Sequence, residues 1–488
     1  MNSDDAGKHI SNNVGFSRGA PAIITPFWPA AESAVGRKES VKIAVLSASR
    51  HKNCTLKDVA GGFGTVFTVG KSPFARLLEL AKRRIAAIPN ITLAYLDSIL
   101  SAYSASVKVL DVRSPDQLVP ADLYLISSSI VDCNLERELG IEARRRFGAK
   151  VGYFGSFAAT VPEFFLDSAD FIVKGEIENI APALAHGEIP EGTVEAGFVD
   201  NLDALPFPRW DQFEIRRFRY QIVTGKGITL PMLGSRGCPY TCNYCPYLVN
   251  SKYRVRSPES IVEEIRYLVS RYGIRGISFR DPNLTFNNER ARDFAELLLR
   301  HNLDIRWGME ARTDRLTPDL VDLLFRSGLR SIEIGVESSN HDLLRQSQRK
   351  AVAAAQQEAI VEHCHRLGIR VIANYTFGLP NDTVEGIRET IRYAKKLNTF
   401  AIQFTVTTPY PGTRFYESVK GSIFEKDWER FNGWTSVYRH QNISPDELHR
   451  LREYAYVSYH LRPRYVWRFL QSTLLHPLLF PDPSPAQP

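Results

Sequence analysis

Ile228-Thr-Leu-Pro-Met-Leu-Gly-Ser-Arg-Gly-Cys-Pro-Tyr-Thr-Cys-Asn-Tyr-Cys-Pro246 joins an apolar run of strand length to a cysteine-rich loop, and the fold can be read outward from it. The run at 228–233 predicts a strand, and it opens an alternating series. Further strands are expected at 276–279, 304–308, 331–335, 371–377 and 400–406. Helices are expected between them at 258–272, 288–301, 318–327, 340–346, 351–367 and 384–397. Alternation of this kind implies parallel pairing, here a partial (β/α)6 barrel, with chemistry on the loops that follow the strands. The cysteine loop follows the first strand.

Upstream, a second alternating series predicts strands at 41–47, 106–112, 121–127, 150–155 and 170–174, with helices at 78–88, 92–103, 134–147 and 162–168. Such a pattern reads as a Rossmann-like, doubly wound α/β sheet, whose ligands bind beyond the carboxyl ends of the strands. The organisation expected is therefore a lead-in at 1–40, rich in Ser, Asn, Gly, Ala and Pro; a Rossmann-like domain at 41–186; a polar linker at 187–227 containing Leu205-Pro-Phe-Pro208; the barrel at 228–415; and a helical C-terminal region at 416–488. That last region should hold a helix over 444–470 and then a Pro-rich tail. No tandem repeat is seen beyond the βα pattern.

The 488 residues suffice for two or three domains at a prior of roughly 150 residues each. A hydrophobic content of 44% and a charged content of 24% suit a folded globular chain. The 61 basic and 54 acidic residues give +7, spread along the chain with no concentrated stripe, so no nucleic-acid partner is expected. Six cysteines, three of them in one loop, do not make a secreted disulfide framework. With no signal-like start and no apolar stretch of about 20 residues, a cytoplasmic protein with no membrane span is expected.

Cys238, Cys242 and Cys245 form C-x-x-x-C-x-x-C with an aromatic residue before the last cysteine. Three thiolates can hold an iron-sulfur cluster that normally takes four protein ligands, which leaves one iron open. An open position admits a cofactor, and the amino and carboxylate groups of S-adenosylmethionine (SAM) can chelate iron. Taken alone, the triplet also suits zinc. The later segments Phe279-Arg-Asp-Pro-Asn-Leu-Thr-Phe-Asn287, Trp307-Gly-Met-Glu-Ala-Arg312, Ile334-Gly-Val-Glu-Ser338, Phe377-Gly-Leu-Pro380 and Pro409-Tyr-Pro-Gly-Thr413 complete a pattern that resembles a radical SAM core over 228–415. The resemblance implies a 4Fe-4S cluster on the three cysteines, with Tyr244 near the adenine and Glu310 receiving the SAM ammonium. Glu337 and Asn374 match positions near the SAM amino acid and ribose. Arg349 would face the SAM carboxylate, and Arg312 and Asp281 are further SAM-side candidates. Glu310 and Glu337 can also be read as strand-end carboxylates paired to arginine.

Residues 41–185 resemble the cobalamin-binding domain often placed before this core. The resemblance rests on Gly152-Tyr-Phe-Gly-Ser-Phe-Ala-Ala-Thr-Val-Pro-Glu163 and Asp170-Phe-Ile-Val-Lys-Gly-Glu-Ile-Glu178. The usual Gly-Gly-x-His-x-Thr reads Gly155-Ser-Phe-Ala-Ala-Thr160 here, and the usual Gly-Glu-Gly-Glu reads Gly175-Glu-Ile-Glu178. Small residues after parallel strands would let backbone approach a corrin, so Gly155, Ser156, Gly175 and Glu176 are candidates. Ser127, Ser128 and Ser129 could bond its amides. The alternative is a Rossmann-like domain without a ligand. Of the Asp-x-His-x-x-Gly motif of other cobalamin proteins only His51 matches, and a lone loop histidine is usually solvated.

Other signals carry less. Gly61-Gly-Phe-Gly64 lacks the helix-lysine motif of a phosphate loop. In His363-Cys364-His365 the two histidines point apart on a helix. Tyr454, Tyr456, Tyr459 and Trp467 read as packing or as a lid. The whole implies a cobalamin-dependent radical SAM enzyme that cleaves SAM to a 5′-deoxyadenosyl radical and methylates an unactivated carbon of a small metabolite. Such an enzyme needs a reducing partner such as flavodoxin or ferredoxin. The alternatives are a radical SAM cyclase or rearrangement enzyme, and a non-catalytic iron-sulfur or zinc protein. A methylthiotransferase would need three more cluster cysteines in the first domain, where only Cys54 and Cys133 stand.

Overall fold

The structure, a computed structural model, describes residues 41–470 apart from 51–54, 58–59, 104 and 226. The expected lead-in and Pro-rich tail lie outside the described residues. Two six-stranded sheets organise the rest. The first contains β1 (Lys42–Ala48), β2 (Ser106–Val112), β3 (Leu123–Ser127), β4 (Lys150–Phe154), β5 (Phe171–Gly175) and β6 (Gly192–Gly197). They are ordered β2-β1-β3-β4-β5-β6, and every pair is parallel. The order turns at β1, so the crevice of a doubly wound sheet opens where β1 and β3 end. Helices α1 (Pro73–Ile85), α2 (Ile91–Ala102) and α3 (Cys133–Phe147) belong to this half.

The second sheet runs β7 (Thr229–Met232), β10 (Gly276–Phe279), β11 (Arg306–Ala311), β12 (Leu329–Glu337), β13 (Arg370–Phe377) and β14 (Ala401–Val406), in chain order and parallel throughout. No pairing joins β7 to β14 among the described residues, so the barrel is partial. A two-residue antiparallel ladder, β8 (Ser235–Arg236) with β9 (Arg254–Val255), closes the neck of the loop that follows β7. The sheet is wrapped by α4 (Pro258–Tyr272), α5 (Asn288–Arg300), α6 (Pro318–Arg326), α7 (His341–Gln346), α8 (Ala354–Arg366) and α9 (Val384–Leu397), and α10 (Pro445–His460) packs beside β14 and α9.

Alternation along these strands sorts the residues by face. Trp307, Met309, Ile332, Ile334 and Phe404 are buried towards the helices. Their neighbours Glu310, Glu333, Asn374 and Thr376 face the other way and keep partial exposure, which makes the concave face polar. One apolar core runs through both halves, from Ile43 and Leu96 past Trp210 to Leu268 and Phe404. A second lies on the opposite face of the first sheet and reaches Tyr410 and Phe431.

Three expectations are corrected. The polar stretch 187–227 is not a bare linker, because β6 within it pairs with β5 and Trp210 is fully buried. The short helix expected at 162–168 is a single turn at Pro162–Phe165, and Ser156–Thr160 is helical before it. The helix expected over 444–470 is two, Pro445–His460 and Pro463–Leu470, because Pro463 has no N–H to continue the first.

Candidate active site at the junction of the two sheets

The cysteine loop leaves the ladder at Gly237, whose φ of 77° belongs to the left-handed region. A side chain there would also meet the Lys252 carbonyl at 2.6 Å, so the neck tolerates only glycine. Within the loop, the Cys245 N–H donates to the Cys242 carbonyl at 3.1 Å and makes a turn. The loop is tied on both flanks: the Asn243 N–H donates to the Ser347 carbonyl at 3.2 Å, and the Phe415 N–H donates to the Asn243 carbonyl at 3.1 Å. Burial raises the thiols of Cys238 and Cys245 above the usual range, so their thiolates call for positive charge close by.

Arg349 supplies one such charge. Burial opposes its charge, yet the neighbouring groups, the Glu337 carboxylate among them, outweigh burial and hold its pKa above the ordinary arginine range. It donates to the Gly335 carbonyl at 2.5 Å and stands 3.3 Å from Glu337 Oε1. A side chain at Gly335 would occupy the space of Glu337 Oε1 and of the Arg349 guanidinium, at 2.6 and 2.7 Å. Glu337 itself has φ 65° at an irregularity between β12 and β13, a strained pose for a residue with a side chain. Its other oxygen accepts from Thr376 Oγ1 at 2.7 Å. Strain held in place by two partners at a strand end is a mark of a functional position.

The remaining SAM-side candidates divide. Tyr244 packs against Leu343, Leu344 and Leu379, with its hydroxyl buried and without a partner. Asn374 Nδ2 donates to Glu333 Oε1 at 2.8 Å, while its Oδ1 is buried without a donor. Glu310 stands in register with Glu333 on the neighbouring strand, and both line a small cavity with Tyr220, Ser278, Arg280 and Ser331. Arg312 reaches the cysteine loop: its fork takes Asp314 at 2.9 and 3.2 Å, and its guanidinium lies 4.7 Å over the ring of Tyr240, between Cys238 and Cys242. Asp281 is fully buried and accepts from the Gly234 N–H at 2.9 Å and from Ser235 Oγ at 2.5 Å, which fixes the strand that leads into the loop.

In the first sheet, His51 and Cys54 lie outside the described residues. Ser127 Oγ accepts from Asn90 Nδ2 at 3.2 Å, and Ser128 Oγ accepts from the Ala158 N–H at 2.8 Å. Ser129 is fully buried and donates to Glu136 Oε1 at 2.8 Å, and Lys57 Nζ donates to the same oxygen at 2.6 Å. Ser156 Oγ donates to the Gly61 carbonyl. Gly155 has φ 108° and lies so near Ser128 that a side chain would sit 2.8 Å from the Ser128 carbonyl. The Gly175 N–H donates to Asn250 Oδ1 at 2.9 Å, and Glu176 pairs with Arg254. These groups are thus engaged with protein partners, and those of Gly175 and Glu176 lie in the other half of the chain.

Those partners bring the carboxyl ends of the first sheet against the cysteine loop. A side chain at Gly61 would strike the Pro246 carbonyl at 2.4 Å, and Phe63 packs 5.3 Å from Tyr410. Tyr410, a neighbour of Cys245, and Glu333, which lines the small cavity beside Glu310, are candidates that sequence reading did not single out. Glu333 had a signal, since it lies two residues before Gly335 on the same face.

Three cysteines in one loop, Cys242 buried and Cys238 and Cys245 half-buried, an arginine beside them and orphaned polar atoms at Tyr244 and Asn374 fit an iron-sulfur cluster with a polar cofactor beside it. Among the described residues no group of three His, Cys, Asp or Glu is placed to close on one metal ion. A cubane spreads its ligands over different irons, so cysteines that suit it need not converge on a point.

Residues 232–394 match the Radical SAM superfamily. An uncharacterized methyltransferase of Pyrococcus horikoshii is 26% identical over 60% of this chain and 68% of its own length. The bacteriochlorophyllide d C-8(2)-methyltransferase of Chlorobaculum tepidum is 26% identical over 66% and 74%. The anaerobic magnesium-protoporphyrin IX monomethyl ester cyclase of Rubrivivax gelatinosus is 26% identical over 56% and 49%. In fold, the chain is similar to the radical S-adenosylmethionine methyltransferase TsrM of Kitasatospora setae, solved with cobalamin and a [4Fe-4S] cluster bound, with a TM-score of 0.57 at 19% identity over 78% of each chain.

Proposed function

We infer that this chain, whose residues 232–394 carry a radical SAM domain, is a cobalamin-dependent enzyme that cleaves SAM reductively and methylates an unactivated carbon of a small molecule. The observation that carries the reading is the junction itself: a cysteine loop at the carboxyl edge of the second sheet, pressed against the carboxyl edge of the doubly wound first sheet. When bound, a 4Fe-4S cluster with SAM supplies a carbon radical, and cobalamin supplies a transferable methyl group.

Cys238, Cys242 and Cys245 would hold the cluster. Arg349 and Glu337 would orient the SAM carboxylate and amino groups, Tyr244 would pack on the adenine, and Asn374 would offer its free oxygen to the ribose. Glu310 and Glu333 floor the polar concave face. Cobalamin would lie beyond the ends of β1 and β3. No acid-base dyad is required, because the protein's part is orientation and exclusion of water.

A small molecule is the fitting substrate, with a flavodoxin- or ferredoxin-like protein as electron donor and the reducing cytoplasm as the setting. No helix among the described residues is long and apolar enough to cross a membrane. The spread of charge speaks against nucleic acid.

The test uses the full chain reconstituted anaerobically with iron, sulfide and hydroxocobalamin, then given dithionite and methyl-labelled SAM. Release of 5′-deoxyadenosine with label on the bound cobalamin is expected. Release without label would favour the cyclase reading, which the Rubrivivax relative supports. Zinc in place of iron, with no release, would leave only a binding protein.

A further inference from the structure

Arg236 and Arg254 stand opposite each other in the ladder that closes the cysteine loop, and the first domain grips both. Glu176, the residue after β5, takes Arg254 in a two-pronged contact, Oε1 from Nη2 at 2.7 Å and Oε2 from Nη1 at 2.8 Å. Arg236 Nη1 lies 3.2 Å from the same Oε1, and Arg236 Nη2 donates to Glu178 Oε1 at 2.7 Å. The Val199 N–H donates to Glu176 Oε2 at 2.8 Å and fixes the carboxylate from behind. Both guanidiniums are also seated on rings of the first half, Arg236 5.5 Å from Tyr95 and Arg254 5.4 Å from Phe198. All four side chains are at most 14% exposed. Burial opposes ionisation of Glu176, but the Arg254 hydrogen bonds and the charges of Arg236 and Arg254 overcome it and hold its pKa below the ordinary carboxylate range.

A buried ion network is a poor way to gain stability, since apolar side chains of the same volume do as well. What a planar two-pronged contact provides is orientation. This network lies one residue from Gly237 and two from Cys238, at the only two points where the loop meets the ladder. The Gly175–Asn250 hydrogen bond adds a third tie from the same strand end.

We propose that Glu176 and Glu178 are positioning residues of the radical chemistry: from the first sheet they set the pose of the cysteine loop by holding Arg236 and Arg254 at its neck. The proposal rests on the functional reading above, and it gives Glu176 a protein-facing role in place of contact with a corrin. A cluster displaced by about an ångström relative to SAM would lose rate without losing iron.

The experiment compares the full-length reconstituted chain with the Glu176→Gln/Glu178→Gln double variant and with Arg254→Lys, which keeps the charge and loses the two-pronged contact. Three readouts are taken: iron per chain, the electron paramagnetic resonance spectrum of the reduced cluster before and after SAM, and 5′-deoxyadenosine release at saturating SAM. Expected are unchanged iron, a SAM-induced spectrum that differs from wild type, and release lowered by about tenfold or more in both variants. If the double variant does not fold, Glu178→Gln alone, which leaves the Glu176–Arg254 contact whole, is expected to show the same change in smaller degree. Wild-type spectra and release in the variants, or a loss that only tracks lost iron, would overturn the proposal. Failure of the wild type itself to release 5′-deoxyadenosine would instead overturn the functional reading.

Discussion

Glu337 concentrates several constraints in one residue. Its backbone is left-handed, its two oxygens are divided between Arg349 and Thr376, and Gly335 is kept bare to make room. Exchange to glutamine keeps the shape and removes the charge that Arg349 faces. Glu337→Gln should weaken SAM binding by about tenfold, roughly 1.4 kcal/mol, measured by equilibrium dialysis of the reconstituted protein. Affinity equal to wild type would place SAM elsewhere. Among the site residues, the cysteines and the Glu337 motif were legible in sequence because short spacing encodes them. The turning of Arg312 onto Tyr240 and Asp314 was not, since a side chain's choice between partners of equal chemistry is made by packing.

Asp382 carries a residue-level prediction of another kind. Burial raises its pKa to about 6, although the Gly378 and Thr383 N–H groups donate to it. Because the folded pKa lies above the ordinary 3.8, the native state binds the proton more tightly than the unfolded chain. Stability from this group is therefore present at low pH and lost as pH rises from about 4 to 6, by about 3 kcal/mol at most. Urea denaturation of wild type and Asp382→Asn across that range should show the difference between them change in that sense and level off above pH 6. A difference independent of pH would count against it.

At the scale of elements, the ends of helices were the most legible feature. Ser257 caps α4 by accepting from the Ser260 N–H, Pro258 starts it, and Gly273 closes it at φ 63°, which is why its limits could be read to the residue. β6 escaped because it lies at the edge of its sheet and keeps no residue fully buried, so no apolar alternation marks it. The β8–β9 ladder is two residues long, too short for any periodicity. Its importance shows at Gly237, where alanine would combine an unfavourable φ with a 2.6 Å approach to backbone. Gly237→Ala should cost about 1–3 kcal/mol in chemical denaturation and lower the iron retained per chain. Normal iron content in that variant would mean that the neck does not govern the loop.

For the whole molecule, both alternating series were legible, because parallel sheets advertise themselves as buried runs separated by amphipathic helices. Their mutual placement was hidden, since it depends on pairs such as Arg236–Glu178 and Gly175–Asn250 that no local pattern announces. The shared core predicts how the chain unfolds. Trp210 stands in one apolar cluster with residues of both sheets, so urea unfolding followed by circular dichroism and by tryptophan fluorescence should give a single, coincident transition. Trp210→Ala should lower stability by about 3–5 kcal/mol without splitting that transition. Two separate transitions would mean that the halves unfold independently.

The tie between the first sheet and the neck of the cysteine loop also bears on how the protein is made. Synthesis runs from the amino end, and domains fold as units while the chain emerges. Glu176 and Glu178 leave the ribosome roughly sixty residues ahead of Cys238, so the first sheet can fold before the thiols appear. The nascent loop can then be received by a surface that is already folded.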